Sequence, residues 1–120
     1  MGSTIENARA LQEHIKSGKI IEAMNAFYAP DIAMQENGNP PTVGLEKNIE
    51  REKQFLAQVK EWKGYTIKSL AADGDRVLVE NVIEFINQEN KPVRMEQVSV
   101  QTWKNGKVAH ERFYYDSGAK

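Results

Sequence analysis

The 120-residue chain contains no cysteine, which excludes a disulfide framework, a thiolate nucleophile and any sulfur-based metal site. Histidine is almost as scarce, with two copies at His14 and His110, and no His-rich spacing suited to a metal occurs. There is no excess charge of either sign: 16 Lys and Arg stand against 17 Asp and Glu, a net charge of −1. That balance removes the electrostatic case for nucleic acid or an anionic membrane as a partner. No apolar run approaches the roughly 20 residues that span a bilayer. The N-terminus lacks the basic-then-apolar pattern of a secretion signal. Phosphate-cradling glycine loops and dinucleotide fingerprints are both missing. These absences lead to the expectation of a cytoplasmic domain without metal or cofactor.

What remains is the composition of a soluble globular chain, 40% hydrophobic and 28% charged, of a length that makes one domain over residues 1–120. Ser3-Thr4-Ile5-Glu6 has the spacing of a capping box, and Ile5, Ala8, Leu11 and Ile15 follow at helical intervals up to Gly18. Ile20, Met24, Phe27 and Tyr28 predict a second helix that stops before Pro30. Residues 31–37 read as a short strand and Asn37-Gly38-Asn39-Pro40-Pro41 as a rigid loop. Leu45, Ile49, Leu56 and Val59 give a third helix over 45–61. Its Lys47, Arg51, Lys53 and Lys60, interspersed with Glu46, Glu50, Glu52 and Glu61, read as a solvated, salt-bridged face.

From Tyr65 the period changes to two. Strands are predicted at about 65–72, 76–87, 92–103 and 107–115, separated by Asp73-Gly74-Asp75, Gln88 to Lys91 and Asn105-Gly106, the last a strong hairpin signal. Strands so closely linked are antiparallel neighbours. The expected architecture is α+β, with three helices on one face of a curved antiparallel meander.

The strand faces differ in chemistry. One carries Asn81, Gln97, Ser99, Gln101, Glu111, Phe113 and Tyr115; the other carries Glu80, Glu84, Arg94, Glu96 and Arg112. The first set fits either a core with a few satisfied hydrogen bonds or the wall of a ligand cavity, which is mostly apolar with a few fixed polar groups. The second set is interspersed with Val82, Val98, Val100 and Tyr114. An apolar patch rimmed by pairable charges predicts a homodimer contact, with Arg94 or Arg112 facing Glu84 or Glu96 of the other copy.

The segments Phe27-Tyr28-Ala29-Pro30-Asp31, Gln35-Glu36-Asn37-Gly38, Arg94-Met95-Glu96-Gln97-Val98, Trp103-Lys104-Asn105-Gly106-Lys107-Val108 and His110 to Asp116 resemble the nuclear transport factor 2-like superfamily. Within it they are most similar to the SnoaL-like polyketide cyclase group. The resemblance implies a cone-shaped, cystatin-like roll that dimerises through its sheet and holds a small apolar ligand. It does not fix an activity, since the superfamily includes isomerases, cyclases, dehydratases, epoxide hydrolases and non-catalytic binders.

Carried over residue by residue, the resemblance to ketosteroid isomerase-like members places Glu36 at the base position, where it serves either as a proton acceptor or as a strand-end cap of the next loop. Their oxyanion tyrosine falls at Leu11 and their protonated aspartic acid at Ser99, so fast steroid isomerisation is not expected. The limonene epoxide hydrolase triad falls on Asn81, Ile83 and Phe113, and that activity is rejected. Glu111 is expected to pair with Glu36 across the pocket as a coupled carboxylate couple. Tyr28, Trp62, Asn81, Gln97, Ser99, Gln101, Phe113 and Tyr115 are the expected substrate contacts, with Trp62 at a helix end forming the lip. His14 reads as a packing residue, and His110 as facing away from the pocket unless its strand bulges. Two functions are carried forward. One is a cofactor-independent acid/base enzyme (cyclase, isomerase or dehydratase) for an apolar carbonyl compound; the other is a non-catalytic ligand-binding or interaction domain.

Overall fold

A computed structural model describes residues 3–116, so the single domain expected over 1–120 extends past the described chain at both ends. Ser3 starts α1 (Thr4–Lys16) as the capping box anticipated: its Oγ accepts from the Glu6 amide and the Glu6 carboxylate accepts from the Ser3 amide, both at 3.2 Å. Gly18, at φ +81°, takes the left-handed turn that a side chain resists, and the chain re-enters helix as α2 (Ile20–Phe27). Strand β1 (Tyr28–Glu36) begins three residues earlier than expected. A two-residue strand that the sequence reading did not contain, β2 (Thr42–Val43), precedes α3 (Leu45–Ala57).

The third helix ends at Ala57, not at 61, because the chain joins the sheet at once as β3 (Val59–Asp73). Bulges between Val59 and Glu61 and between Trp62 and Gly64 explain the misreading. They break the alternation and leave Val59, Trp62 and Tyr65 three residues apart, a spacing that imitates a helix. Trp62 therefore sits on a strand opposite Phe85, not at a helix end. The remaining strands match expectation closely: β4 (Arg76–Asn87), β5 (Pro92–Lys104) and β6 (Lys107–Tyr115). Asn105 and Gly106 both have positive φ, 53° and 78°, as a type I′ hairpin requires.

The six strands form one sheet in the order β2-β1-β6-β5-β4-β3. All neighbours are antiparallel except β1 and β6, which run parallel. This places Tyr28 and Glu36, near the start of the chain, beside the last strand.

The core occupies one end of the helix-covered face. Ala8, Leu11, Ala23, Met24 and Ile32 pack there on Val77, Val79, Trp103 and Val108. Leu11 is fully buried. Its truncation to Ala would cost about 2–5 kcal/mol, a large share of the roughly 5–15 kcal/mol typical of a domain, so α1 is held firmly on the sheet. His14 donates from Nδ1 to the Ala10 carbonyl at 3.0 Å and meets Phe27 edge-on, a packing role. Along β4 the inward positions run Val77, Val79, Asn81, Ile83. The packed core gives way to a cavity where the third of them begins.

On the outer face Val98, Val100 and Arg112 are half-buried, while Tyr114 and Leu78 are 44% and 41% exposed. Val82, one of the residues expected at a dimer contact, is only 3% exposed. It lies between Thr66 and Glu96 of its neighbouring strands, so the chain itself covers it. Arg94 pairs within its own chain with Glu84 and Glu96, and the Arg112 guanidinium lies 4.6 Å from the Tyr114 ring centre.

Candidate functional site

Between α1, α3 and the inner sheet face lies a cavity of about 200 Å³. Its lining is largely apolar (Ile15, Met24, Met34, Phe55, Ile83, Met95), with polar groups contributed by α1, α3 and the strands β1, β3, β4, β5 and β6. Of the ten residues singled out in the sequence, Tyr28, Glu36, Trp62, Asn81, Gln97, Ser99, Glu111 and Phe113 line it. Gln101 and Tyr115 do not: Gln101 is wholly buried behind Glu111, and Tyr115 lies at the rim.

Glu111 is the centre of the polar wall. It is 2% exposed and receives three donors. The Tyr28 hydroxyl donates to Oε1, the Ser99 hydroxyl to Oε2 at 2.6 Å and the Gln101 amide to Oε2 at 3.1 Å. Gln101 is held in turn by the Trp103 indole N–H at 2.9 Å. Burial pushes the Glu111 carboxyl above its ordinary range, and the three hydrogen bonds pull it back only in part. Burial beside that carboxylate drives the Tyr28 phenol far upward. A second buried pair, Tyr65 O–H to Gln12 Oε1 at 2.5 Å, stands on the wall formed by α1 and β3.

A bulge explains how Val108 and Glu111, three residues apart, both face inward. The register shifts between Thr102–His110 and Trp103–Val108, leaving Ala109 as the extra residue. The bulge turns Val108 inward and leaves His110 opposite Thr102, on the face where alternation put it.

Glu36 and Glu111 do not form the pair expected of them, because each has separate partners. Glu36 Oε2 accepts from Arg51 at 2.7 Å and Oε1 from the Tyr115 hydroxyl at 3.1 Å. The Glu36 side chain is 38% exposed, so solvent reaches this ion pair at the cavity rim. The carboxyl that couples to Glu111 is Glu52 on α3. Burial pushes it up to about 7, with the Glu111 and Glu36 charges adding to the effect and Arg51 opposing it. Its side chain makes no hydrogen bond or ion pair among the described residues.

The solvated-face reading of α3 therefore fails at Glu52, which turns into the cavity, and holds at Arg51, which is exposed and ion-paired at the cavity rim. Gln12 and Tyr65 were missed as well. A signal for two of these was present. Glu52 falls at helical spacing within the stripe Leu45, Ile49 and Leu56, and Gln12 lies four residues after Ala8. Charge and polarity masked positions that spacing alone would have turned inward. Trp62 and Asn81, which line the cavity, each bury a polar atom without a partner among the described residues, Nε1 and Oδ1. No group of three or more His, Asp or Glu suited to a metal occurs among the described residues.

The profile of the SnoaL-like polyketide cyclase family matches residues 5–119. The chain belongs to that family. Among solved structures it is similar to a Mesorhizobium loti protein assigned to the SnoaL-like polyketide cyclases, at 26% identity and a TM-score of 0.80, over 95% of this chain and 100% of the other. An LEH-like epoxide hydrolase from M. tuberculosis shares the fold at 18% identity and a TM-score of 0.76, over 94% and 82% of the two chains. So does TerC, co-crystallised with polyporic acid, at 17% identity and 0.80, over 96% and 92%. No curated protein matches.

Proposed function

We propose that this SnoaL-like domain is a cofactor-independent acid/base enzyme of the isomerase, cyclase or dehydratase kind, acting on a small, mainly apolar carbonyl compound. The observation that carries the reading is Glu111, a carboxyl buried in a mostly apolar cavity and held by Tyr28, Ser99 and Gln101. An ionisable group in such a place costs stability, which is the pattern of a site kept for chemistry. Glu52 supplies the second carboxyl. Poised near neutral pH and without a hydrogen bond or ion pair among the described residues, it suits a proton acceptor better than Glu36, whose oxygens are engaged by Arg51 and Tyr115. In the step envisaged, Glu52 takes a proton from the carbon beside the carbonyl. The C–H electron pair moves into the enolate, and the proton is returned at the same or another atom.

The test is deuterium uptake from D₂O at the carbons flanking the ketone of 4-(4-hydroxyphenyl)-2-butanone, followed by NMR. The protein should accelerate exchange, and Glu52→Gln should reduce the acceleration at least about 100-fold, the lower bound for losing a general base. Binding without exchange above the buffer rate would favour the second reading, a non-catalytic ligand-binding domain. The Glu36–Arg51 ion pair, which engages the residue that the resemblance to ketosteroid isomerase-like members implies as a base, supports that alternative. We also propose that the chain forms a homodimer through its outer sheet face, supported by the exposed Leu78 and Tyr114 beside Val98 and Val100.

A further inference from the structure

We infer that the Gln12 side-chain amide is the carbonyl-binding group of the cavity: Nε2 donates to the oxygen of the ligand's ketone or aldehyde, and Tyr65 is the positioning residue that aims it. This deepens the functional reading and rests on it for a carbonyl ligand, but not for turnover.

A carbonyl oxygen that enters an apolar cavity gives up its bonds to water and needs a donor there. Most donors on the wall are already spent. Tyr28 and Ser99 donate to Glu111, Arg51 donates to Glu36 and Thr42, and the Asn48 amide donates to the carbonyls of Thr42 and Gly44. The Trp62 indole N–H is enclosed and presents no surface to the cavity.

Gln12 differs from all of these. Its Oε1 accepts from the Tyr65 hydroxyl at 2.5 Å, and its Nε2 has no partner among the described residues. Enclosed side-chain atoms without a partner occur, among the described residues, only at Trp62 and Asn81, so Nε2 is not enclosed. The rest of the Gln12 side chain is buried and lines the cavity, which leaves the cavity as the space that Nε2 faces. The amide is also held in one orientation. Burial, with the Glu111 charge adding to it, pushes the Tyr65 phenol upward, so its O–H stays a donor near neutral pH. Oε1 is thereby fixed as the acceptor, and donation into it strengthens the N–H of the same amide. Gln97 lines the cavity too, but no bond among the described residues fixes which end of its amide faces inward.

The placement suits the chemistry. Gln12 comes from α1, while Glu52, which lines the same cavity, comes from α3. When a base takes the proton beside a carbonyl, negative charge gathers on the oxygen, where a preorganised N–H acts most strongly. The volume of about 200 Å³ limits the ligand to one ring with a short chain, since a cavity of roughly 150 Å³ admits benzene.

Isotope-edited infrared spectroscopy of 4-(4-hydroxyphenyl)-2-butanone, with ¹³C at the carbonyl and bound to the whole chain, tests this. A hydrogen bond weakens the C=O bond, so the band of the bound ketone should lie below its position in cyclohexane. Gln12→Leu should return the band towards that position, weaken ketone binding about fivefold and lower the acceleration of deuterium exchange about 100-fold. Its affinity for 4-butylphenol, which lacks the carbonyl, should not change, and this also shows that the variant is folded. Tyr65→Phe leaves Nε2 present but unaimed, and should broaden the band without abolishing its shift. Should Gln12→Leu alone not fold, its combination with Tyr65→Phe removes both partners of the buried bond, and the same loss of shift is expected. An unshifted band in the unmodified protein, or a shift that survives Gln12→Leu, would overturn the donor while leaving Glu52 and the acid/base reading in place. A shift that depends on Gln12, without accelerated exchange, would uphold the donor and count against turnover alone. Failure of the ketone to bind would overturn the ligand reading and this inference with it.

Discussion

Tyr28, on the strand that follows α2, donates its hydroxyl hydrogen to Glu111 on the last strand, 83 residues away in the chain. The parallel pairing of β1 with β6 makes this possible. The bond ties the strand that follows the helices to the last strand inside the cavity wall, and it does so through a carboxyl that burial pushes above its ordinary range.

Breaking this cluster from either side should leave an orphan. Tyr28→Phe removes one donor, and Glu111→Leu strands Tyr28, Ser99 and Gln101 without an acceptor. We expect a loss of about 1 kcal/mol for the first and about 3 kcal/mol or more for the second by chemical denaturation. Ser99→Ala removes the largest influence opposing desolvation at Glu111. The Glu111 carboxyl carbon, followed by ¹³C NMR, should then titrate at higher pH than in the unmodified protein.

Stability should depend on pH through Glu52. The fold raises this carboxyl from 4.5 to about 7, so between those values the folded chain holds more protons than the unfolded one. Its contribution is therefore fully present below about pH 4.5 and lost as pH rises through about 7. The full swing is about 3 kcal/mol at most. Urea unfolding at intervals from pH 5 to 8 should show this decline, and Glu52→Gln should flatten it. A variant with the same slope as the unmodified protein would rule Glu52 out as its source.

Asn81→Leu should stabilise the fold, by about 1 kcal/mol, because it replaces an unpaired buried acceptor with a side chain of similar size. Thermal unfolding measures this directly. A lowered melting temperature would mean that the lost Nδ2 bond to the Val79 carbonyl, or a partner of Oδ1 in solution, outweighs that gain.

Light scattering at micromolar concentration should give twice the chain mass of 13.6 kDa. Val100→Arg places a charge on the outer face between Leu78 and Arg112 of the neighbouring strands, and should halve the scattering mass while circular dichroism stays unchanged. A monomeric mass for the unmodified protein would end the dimer proposal.

Local chemistry was enough to reveal most of the elements. The Ser3–Glu6 box, Gly18 and Asn105-Gly106 act within a few residues of themselves, so the first helix and the last hairpin could be read off the chain. Alternation put Asn81, Gln97, Ser99, Glu111 and Phe113 on one face, and that face lines the cavity. The resemblance carried by Tyr28 to Asp31 and His110 to Asp116 pointed to the family before any coordinate did. Tertiary structure decided the rest. Bulges, which cancel the period-two signal, turned the supposed helix end into β3. The parallel β1–β6 pairing brought Tyr28 to Glu111, a contact that no spacing along the chain encodes. Glu52 looked like one more surface charge among its neighbours. Only the packing of α3 over the sheet, which removes water from that carboxyl and sets it near two others, made it a group that titrates near neutrality.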